Sequence, residues 1–251
     1  MNPLLNNLNR RFDHAALKPE TTDADIVRLC NEAREYELFA VCVNLVWVAR
    51  CREELDPGFR RDDKVVGMSS VRIVSVAGFP LGANRTDTKV DEAVRAVADG
   101  AHEIDMVANI GWILDGRMAE VAAEIRAVRD SLAFNVVLKV IIEAGLLTPD
   151  QQAAATQAVV EGGAQYVKTS TGFFGGATVE QVRALYAAAA GRVLVKASGG
   201  IRTAGDSVRM IEAGAERLGS SSSVNILRSL RKDDKDDMDG NGTTRQGDDG
   251  Q

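Results

Sequence analysis

Residues 163–200 read GAQYVKTSTGFFGGATVEQVRALYAAAAGRVLVKASGG and contain two short apolar runs separated by a helical stretch. The runs, residues 165–170 and 192–197, are bounded by glycine or polar residues, which is typical of buried strands. Between them, Thr178 is followed three residues later by Gln181, the capping-box pattern that begins a helix. A strand, a helix and a second strand in this order predict a βαβ unit with parallel strands.

The same alternation continues on both sides of this unit. A Gly-Ala pair ends the preceding helix just ahead of three strands, at Gly100, Gly163 and Gly214. Seven clear strands and a short eighth favour an α/β fold, a (β/α)8 TIM barrel formed as a single domain by residues 1–230. A doubly wound sheet is disfavoured because no Gly-x-Gly-x-x-Gly follows the first strand. The predicted strands are residues 12–14, 39–44, 71–79, 102–107, 136–142, 165–170, 192–197 and 216–219.

Two further helices carry clear sequence signals. Thr148 and Pro149 are a typical N-cap and first residue, and Gly162 follows at the expected end. A helix after Thr88 is expected to pack one apolar face on the sheet. That face comprises Val90, Ala93, Val94 and Val97. Lys89 on this helix and Lys64 in the preceding segment are expected to be solvated.

The composition excludes several functions. A net charge of −6 does not supply the basic surface of a general nucleic-acid binder. Two His and three Cys lack zinc-binding spacing, whereas a carboxylate-held Mg²⁺ stays open on these grounds. The cysteines are expected to be buried, and the absence of a signal peptide or a long apolar run predicts a cytoplasmic protein with no membrane partner. Residues 231–251, rich in Asp and Gly, predict a disordered acidic tail.

Three of the eight lysines lie inside apolar runs, at Lys139, Lys168 and Lys196. A solvated lysine is not usually placed there, because burying an unpaired ammonium group is costly. Each could instead belong to a buried lysine–carboxylate network with Asp105 or Glu143, or could react with a substrate. For any one lysine the sequence leaves both interpretations open.

Barrel enzymes carry their chemistry at the C-terminal ends of the strands. Lys168 and Lys196 end two successive strands, so we expect their amines to be close together, and neighbouring cations disfavour each other's protonation. One amine should therefore be neutral near pH 7 and able to form a Schiff base with a carbonyl group. Other polar groups predicted at the same end are Asp13, Cys42, Asp105 and Lys139.

Two small-residue loops follow the last two strands. Residues 197–202 read ASGGIR and residues 218–223 read LGSSSS. Loops at these positions of a barrel commonly bind phosphate through backbone N–H groups, and Arg202 could assist. Together with the lysines, the loops predict a phosphorylated carbonyl substrate.

Several motifs around these residues resemble the deoxyribose-phosphate aldolase family. They are GFPLG (78–82), EIDM (103–106), LKVIIE (138–143), VKTSTG (167–172) and VKASGGIR (195–202). The resemblance extends over about residues 12–228. It implies reversible cleavage of 2-deoxy-D-ribose 5-phosphate to D-glyceraldehyde 3-phosphate and acetaldehyde, in deoxyribose phosphate catabolism. It also implies a lyase without metal or cofactor that assembles as a homodimer or homotetramer.

The resemblance also assigns roles to individual residues. Lys168 resembles the Schiff-base lysine, Lys196 the neighbouring cation that keeps it neutral, and Asp105 the acid/base that acts through water. Lys139 and Asp13 resemble supporting members of the polar network, and Cys42 a wall residue. The implied phosphate-binding residues are Gly172, Gly199, Gly200, Ser221 and Ser222.

This chain departs from the family pattern at a few positions. Phe173 stands where some members carry Lys, so phosphate affinity is expected to depend more on the glycine loops. Ala15 and Ala16 replace a Thr and a larger residue, and no Tyr follows Tyr186. Two alternatives stay open: another Schiff-base aldolase that acts on a related sugar phosphate, and a barrel that binds phosphosugars without catalysis.

Overall fold

Eight parallel strands pair in chain order and close into a barrel, which confirms the predicted (β/α)8 fold. The structure, a computed structural model, describes residues 3–56 and 71–230. The predicted tail, residues 231–251, and Lys64 lie outside these ranges. The strands are β1 (Phe12–Ala16), β2 (Ala40–Val43), β3 (Arg72–Ala77), β4 (Glu103–Val107), β5 (Val137–Ile141), β6 (Tyr166–Lys168), β7 (Leu194–Ser198) and β8 (Ala215–Ser220).

Helices follow the strands and cover the outside of the barrel. The helices are α1 (Asp23–Glu35), α2 (Val48–Leu55), α3 (Thr86–Asp99), α4 (Ile110–Leu114), α5 (Met118–Ser131), α6 (Pro149–Glu161), α7 (Val179–Ala189) and α8 (Ala204–Glu212), with a further helix over residues 223–230. Short 3-10 helices occupy Pro3–Leu5, Leu8–Arg11, Leu45–Trp47 and Ala144–Leu146.

The predicted helix starts are confirmed. Thr148 and Thr178 form capping boxes with the third residue of α6 and α7, and Pro149 is the first residue of α6. Thr22 and Thr203 form equivalent boxes at α1 and α8, where Asp replaces the usual Glu or Gln. These caps satisfy backbone N–H groups at the helix starts, directly after the loops at the C-terminal end of the barrel.

The packed face of α3 differs from the prediction in two ways. Val94 is 41% exposed, whereas Lys89 is fully buried and its Nζ lies 2.8 Å from Glu124 Oε1 of α5. The expectation of a solvated Lys89 is therefore wrong. The buried side chains of α3 are Lys89, Ala93 and Ala96, a spacing of four and three residues, which turns Val94 toward solvent.

The interior of the barrel has an apolar part and a charged part. Side chains alternate along each strand, so every second residue points inward. On β2 and β3 the inner residues are apolar and form a small cluster of Ala40, Cys42, Val74 and Val76. On β4 to β8 several inner residues carry charge. At one end of this charged part, the guanidinium carbon of Arg217 lies 3.4 Å from the centre of the Phe39 ring.

Candidate active site

Three lysines converge on one buried carboxylate. Strand pairing places Lys139 beside Asp105 and Lys168 beside Lys196. Lys139 Nζ lies 2.8 Å from Asp105 Oδ1, and both Lys168 Nζ (2.8 Å) and Lys196 Nζ (2.6 Å) contact Asp105 Oδ2. All three lysines are paired with a carboxylate, and Lys168 and Lys196 share one oxygen of Asp105. This geometry is compatible with both interpretations of the lysines, a buried ion-pair network and a lysine that reacts with a substrate.

Two of these lysines form a second ion pair, each with another carboxylate. Lys139 Nζ also contacts Glu103 Oε2 at 2.6 Å, and Lys196 Nζ also contacts Asp13. Among the described residues, Lys168 has Asp105 as its one ion-pair partner. Lys168 is thus the least constrained of the three ammonium groups.

An arginine completes the network. Arg217 Nη1 lies 2.9 Å from Asp13 Oδ1 and 3.5 Å from Glu103 Oε2. Neither Glu103 nor Arg217 was predicted as a site residue. Each could have been found from strand periodicity, since Glu103 is two residues before Asp105 and Arg217 is two residues before Gly219, and residues two apart share a face.

The network keeps its carboxylates ionised. Burial alone would raise the pKa of Asp105, but Lys139, Lys168 and Lys196 outweigh burial and hold that pKa well below its ordinary value. Burial is likewise outweighed at Asp13, where Lys196 is the largest of the opposing charges, and the pKa is lowered to about 2. Both groups are therefore carboxylates at neutral pH.

The network also keeps two lysines charged. Burial would lower the pKa of Lys196, but Asp105 and Asp13 outweigh burial and raise it. The pKa of Lys139 is raised in the same way, since Asp105 and Glu103 outweigh burial and the repulsion from Lys196. Lys139 and Lys196 are therefore fixed positive charges beside Lys168.

Cys42 borders the network from the apolar part of the barrel. Its side chain packs with Ala40, Val74 and Val76, and burial raises the pKa of its thiol to about 11. A thiol in this state is a poor nucleophile near neutral pH. Cys30, Cys42 and Cys51 are all buried and free, which confirms the expectation that the cysteines are buried.

A cavity of about 780 Å³ opens above the network at the C-terminal end of the barrel. Lys168, Lys196, Asp13 and Cys42 line it, while Asp105 and Lys139 are fully buried and do not line it. The five predicted phosphate-binding residues line the same cavity. They are Gly172, Gly199, Gly200, Ser221 and Ser222.

Close backbone packing shapes the phosphate side of the cavity. A Cβ atom on Gly199, which has φ of +82°, would lie 3.0 Å from Gly175 O and 3.1 Å from Gly172 Cα. Glycine is therefore required there by both space and conformation. Residues 223–230 begin a helix directly after Ser222, and a helix start presents N–H groups to an anion. The N–H of Ser222 itself donates to Ser220 Oγ at 2.9 Å, so the remaining donors must come from its neighbours.

Glu143 is not a partner of the lysines, which corrects one of the alternatives above. Its Oε2 accepts hydrogen bonds from the N–H of Thr171 (3.0 Å) and from Thr171 Oγ1 (2.6 Å). Glu143 follows the end of β5, beyond the barrel interior where the lysines meet. Of the two carboxylates proposed from the sequence as partners of the lysines, Asp105 forms the network and Glu143 does not.

The fold and the site together define a class of protein. A closed parallel barrel with buried lysines and glycine loops at the C-terminal ends of its strands has the architecture of a (β/α)8-barrel enzyme.

Comparison with known proteins then identifies the family. The chain belongs to the family described as DeoC/LacD family aldolase, whose model matches residues 8–229. A deoxyribose-phosphate aldolase of Desulfitobacterium hafniense is 46% identical over 223 residues, which cover 88% of this chain and 97% of that protein.

Solved structures agree with this assignment. A crystal structure from Coccidioides immitis, provisionally described as a deoxyribose-phosphate aldolase, superposes with a TM-score of 0.83 at 41% identity and covers 89% of this chain and 85% of that one. The tetrameric deoxyribose phosphate aldolase of Aeropyrum pernix has a TM-score of 0.78 at 31% identity, with 89% and 91% covered.

The described part of the chain lacks both a membrane-spanning helix and a side-chain cluster suited to a metal ion. Within residues 3–56 and 71–230, no helix is long and apolar enough to span a membrane. In the same ranges, no group of three or more His, Cys, Asp or Glu side chains has the geometry of a metal site.

Proposed function

We propose that this protein is a deoxyribose-phosphate aldolase that reversibly cleaves 2-deoxy-D-ribose 5-phosphate through a Schiff base on Lys168. The observation that carries the proposal is the arrangement of Lys168. It lines the cavity and has one carboxylate partner, whereas Lys139 and Lys196 have two each within the described residues. Deprotonating Lys168 therefore breaks one ion pair, and deprotonating either neighbour breaks two.

The charge count of the buried network supports a neutral amine. With every lysine charged, the four buried cations exceed the three buried carboxylates, and one neutral lysine balances them. The cations are Lys139, Lys168, Lys196 and Arg217, and the carboxylates are Asp13, Glu103 and Asp105. Arg72, whose side chain is half exposed, touches Glu103 from the edge of the network at 3.6 Å. An unbalanced buried charge is costly, so loss of one proton relieves the network.

The first half of the reaction forms the Schiff base. Neutral Lys168 Nζ attacks the C1 aldehyde of the open-chain sugar, and loss of water gives an iminium ion. Lys196 stays protonated beside it, as the raised pKa of Lys196 requires. Its charge disfavours reprotonation of Lys168 before the amine attacks.

The second half breaks the carbon–carbon bond. The C3 hydroxyl loses its proton, the C2–C3 electron pair moves into the iminium to form an enamine, and glyceraldehyde 3-phosphate leaves. Asp105 is the ionised base, but it is fully buried and does not line the cavity, so its proposed route to the proton is a relay through one water molecule. Protonation of the enamine at C2 and hydrolysis release acetaldehyde and restore Lys168.

The remaining predicted residues bind or support. Backbone donors around Gly172, Gly199, Gly200, Ser221 and Ser222 receive the substrate phosphate on one side of the cavity. Asp13 and Lys139 hold the network, and Cys42 is an apolar wall beside the amines.

We also propose that the protein is a homo-oligomer, because the Aeropyrum pernix relative is described as tetrameric. Light scattering on the purified protein measures this directly. A cytoplasmic location and the lack of a nucleic-acid partner, a metal or a cofactor stay predictions from sequence.

Turnover assays test the proposed function. Wild type should cleave deoxyribose 5-phosphate, and Lys168→Ala should lose nearly all turnover while keeping its fold. Longer ketose phosphates serve as the comparison, because faster cleavage of one of them would favour a different Schiff-base aldolase. Binding of deoxyribose 5-phosphate without any cleavage would favour the non-catalytic alternative.

A further inference from the structure

Glu143 combines three features that the proposed reaction does not use. It follows β5 in the left-handed region, with φ of 51° and ψ of 58°, although it is not glycine. Its side chain is buried, and Oε2 accepts both hydrogen bonds from Thr171. Its other oxygen, Oε1, is buried without a hydrogen-bond partner among the described residues.

Two of these features, the left-handed backbone and the unpartnered Oε1, cost stability. A left-handed backbone at a residue other than glycine is strained, and a half-satisfied buried carboxylate loses solvation that it does not fully regain. Such costs persist where the surrounding structure needs the resulting geometry. The hydrogen bonds of Glu143 identify that geometry as the conformation of Thr171.

Thr171 begins the loop that faces the phosphate side of the cavity. Its Oγ1 donates to Glu143 and accepts from the N–H of Phe173 at 3.1 Å, so a single hydroxyl joins the carboxylate to the loop. Gly172 lies between Thr171 and Phe173 and has φ of +90°. Thr171, Gly172 and Phe173 all line the cavity. The orientation of the Gly172 backbone therefore depends on the link between Glu143 and Thr171.

The same short segment is also attached to the strand of Lys168. The N–H of Ile142 donates to Lys168 O at 3.1 Å, and the N–H of Ala144 donates to Thr169 O at 2.7 Å. Glu143 sits between these two backbone hydrogen bonds. It is thus held in register with the reactive lysine while its side chain reaches the phosphate loop.

We infer that Glu143 is a positioning residue that holds residues 171–173 in the shape that receives the substrate phosphate. This inference rests on the proposed function, because it assigns the loop to a phosphate group. Glu143 acts through Thr171 and does not touch the substrate. Its removal should therefore weaken phosphate recognition more than it slows the chemistry at Lys168.

Three variants and one control separate this role from a general effect on folding. Glu143→Ala removes the acceptor, and Thr171→Val removes the hydroxyl while keeping the shape of the side chain. Glu143→Gln keeps an oxygen that can accept both hydrogen bonds, so it should retain most of the affinity. Glu37→Ala is the matched control, because Glu37 is also left-handed (φ of 50°) but is exposed and does not line the cavity.

Two measurements are made on each folded variant. The first is the affinity for inorganic phosphate, from the rise in melting temperature with phosphate concentration, which requires no turnover. The second is the ratio of kcat/KM for deoxyribose 5-phosphate to that for unphosphorylated 2-deoxyribose. Losing a hydrogen bond to a charged group costs roughly tenfold or more, so Glu143→Ala and Thr171→Val should each lower both quantities about tenfold. The loss should lie in KM for the phosphorylated sugar.

The outcomes are distinct. The inference would be overturned if Glu143→Ala and Thr171→Val both kept a phosphate affinity within twofold of wild type. It would also be overturned if kcat/KM fell equally for both sugars and in proportion to the loss of thermal stability. Recovery in Glu143→Gln and no effect in Glu37→Ala would support it. If wild type cleaves neither sugar, the proposed function fails, and the phosphate titration alone then decides whether Glu143 shapes the loop.

Discussion

Lys89→Met is expected to destabilise the protein strongly, although Lys89 lies outside the active site. Its ammonium group is buried against Glu124, and the Nζ to Oε1 distance is 2.8 Å. Methionine fills similar space but leaves Glu124 buried with two weaker, neutral partners, the N–H of Asn109 at 3.1 Å and the side chain of Thr86. Breaking a buried ion pair in this way costs about 3–5 kcal/mol. For a chain of this size the melting temperature should fall by roughly 6–20 °C.

The pH dependence gives this prediction a second signature. Burial raises the pKa of Glu124, and Lys89 offsets part of that rise. Without Lys89 the pKa of Glu124 in the folded protein rises further above its unfolded value. The variant therefore keeps its stability at low pH, where Glu124 is protonated, and loses stability as pH increases through the folded-state pKa of Glu124. Lys89→Met should therefore be closer to wild type at pH 5 than at pH 8.

Urea unfolding at the two pH values measures both effects. Lys18→Met is the matched control, because Lys18 and Glu20 form an exposed pair at 3.7 Å that should contribute less than about 1 kcal/mol. Adding Glu124→Gln to Lys89→Met should recover most of the loss, since the amide still accepts from Asn109. A deficit below about 1 kcal/mol at pH 8, or an equal deficit at pH 5, would refute the reasoning.

Three further predictions concern the mouth of the barrel. Gly199→Ala should raise KM for deoxyribose 5-phosphate about tenfold or more in steady-state assays, because its Cβ would lie 3.0 Å from Gly175 O; an unchanged KM would contradict this. Cys42→Ala should keep most turnover, and wild-type Cys42 should resist iodoacetamide at neutral pH by mass spectrometry, because burial raises its pKa to about 11. Asp13 has its pKa lowered from 3.8 to about 2, so it contributes stability on the order of 2 kcal/mol at pH 7 that is lost as pH falls from about 4 toward 2. The stability deficit of Asp13→Asn in urea should therefore shrink at pH 3, and an equal deficit at both pH values would argue against the assignment.

Local patterns predicted the fold well. The strands and the helix starts at Thr148 and Thr178 depend on residues that are close in sequence. Once the order of strands and helices was known, the closed barrel placed Lys168, Lys196 and Asp105 at one end. Sequence could therefore predict which residues meet there.

Pairing between distant segments could not be predicted in the same way. Lys89 and Glu124 are 35 residues apart on different helices, and neither residue alone differs from a solvated helical charge. Glu143 was, with Asp105, a candidate carboxylate partner for the lysines, yet its position beyond the end of β5 directs it to Thr171. Such partners depend on how helices and loops pack on the barrel, which periodicity does not specify.

The central claim is that Lys168 is the nucleophile, and covalent trapping tests it most directly. Wild-type protein is incubated with acetaldehyde, reduced with borohydride, digested and sequenced by mass spectrometry. We expect the reduced two-carbon adduct on Lys168, and no comparable adduct in Lys168→Ala. An adduct on Lys196 or Lys139 with Lys168 unmodified, or an equally labelled Lys168→Ala protein, would contradict the account.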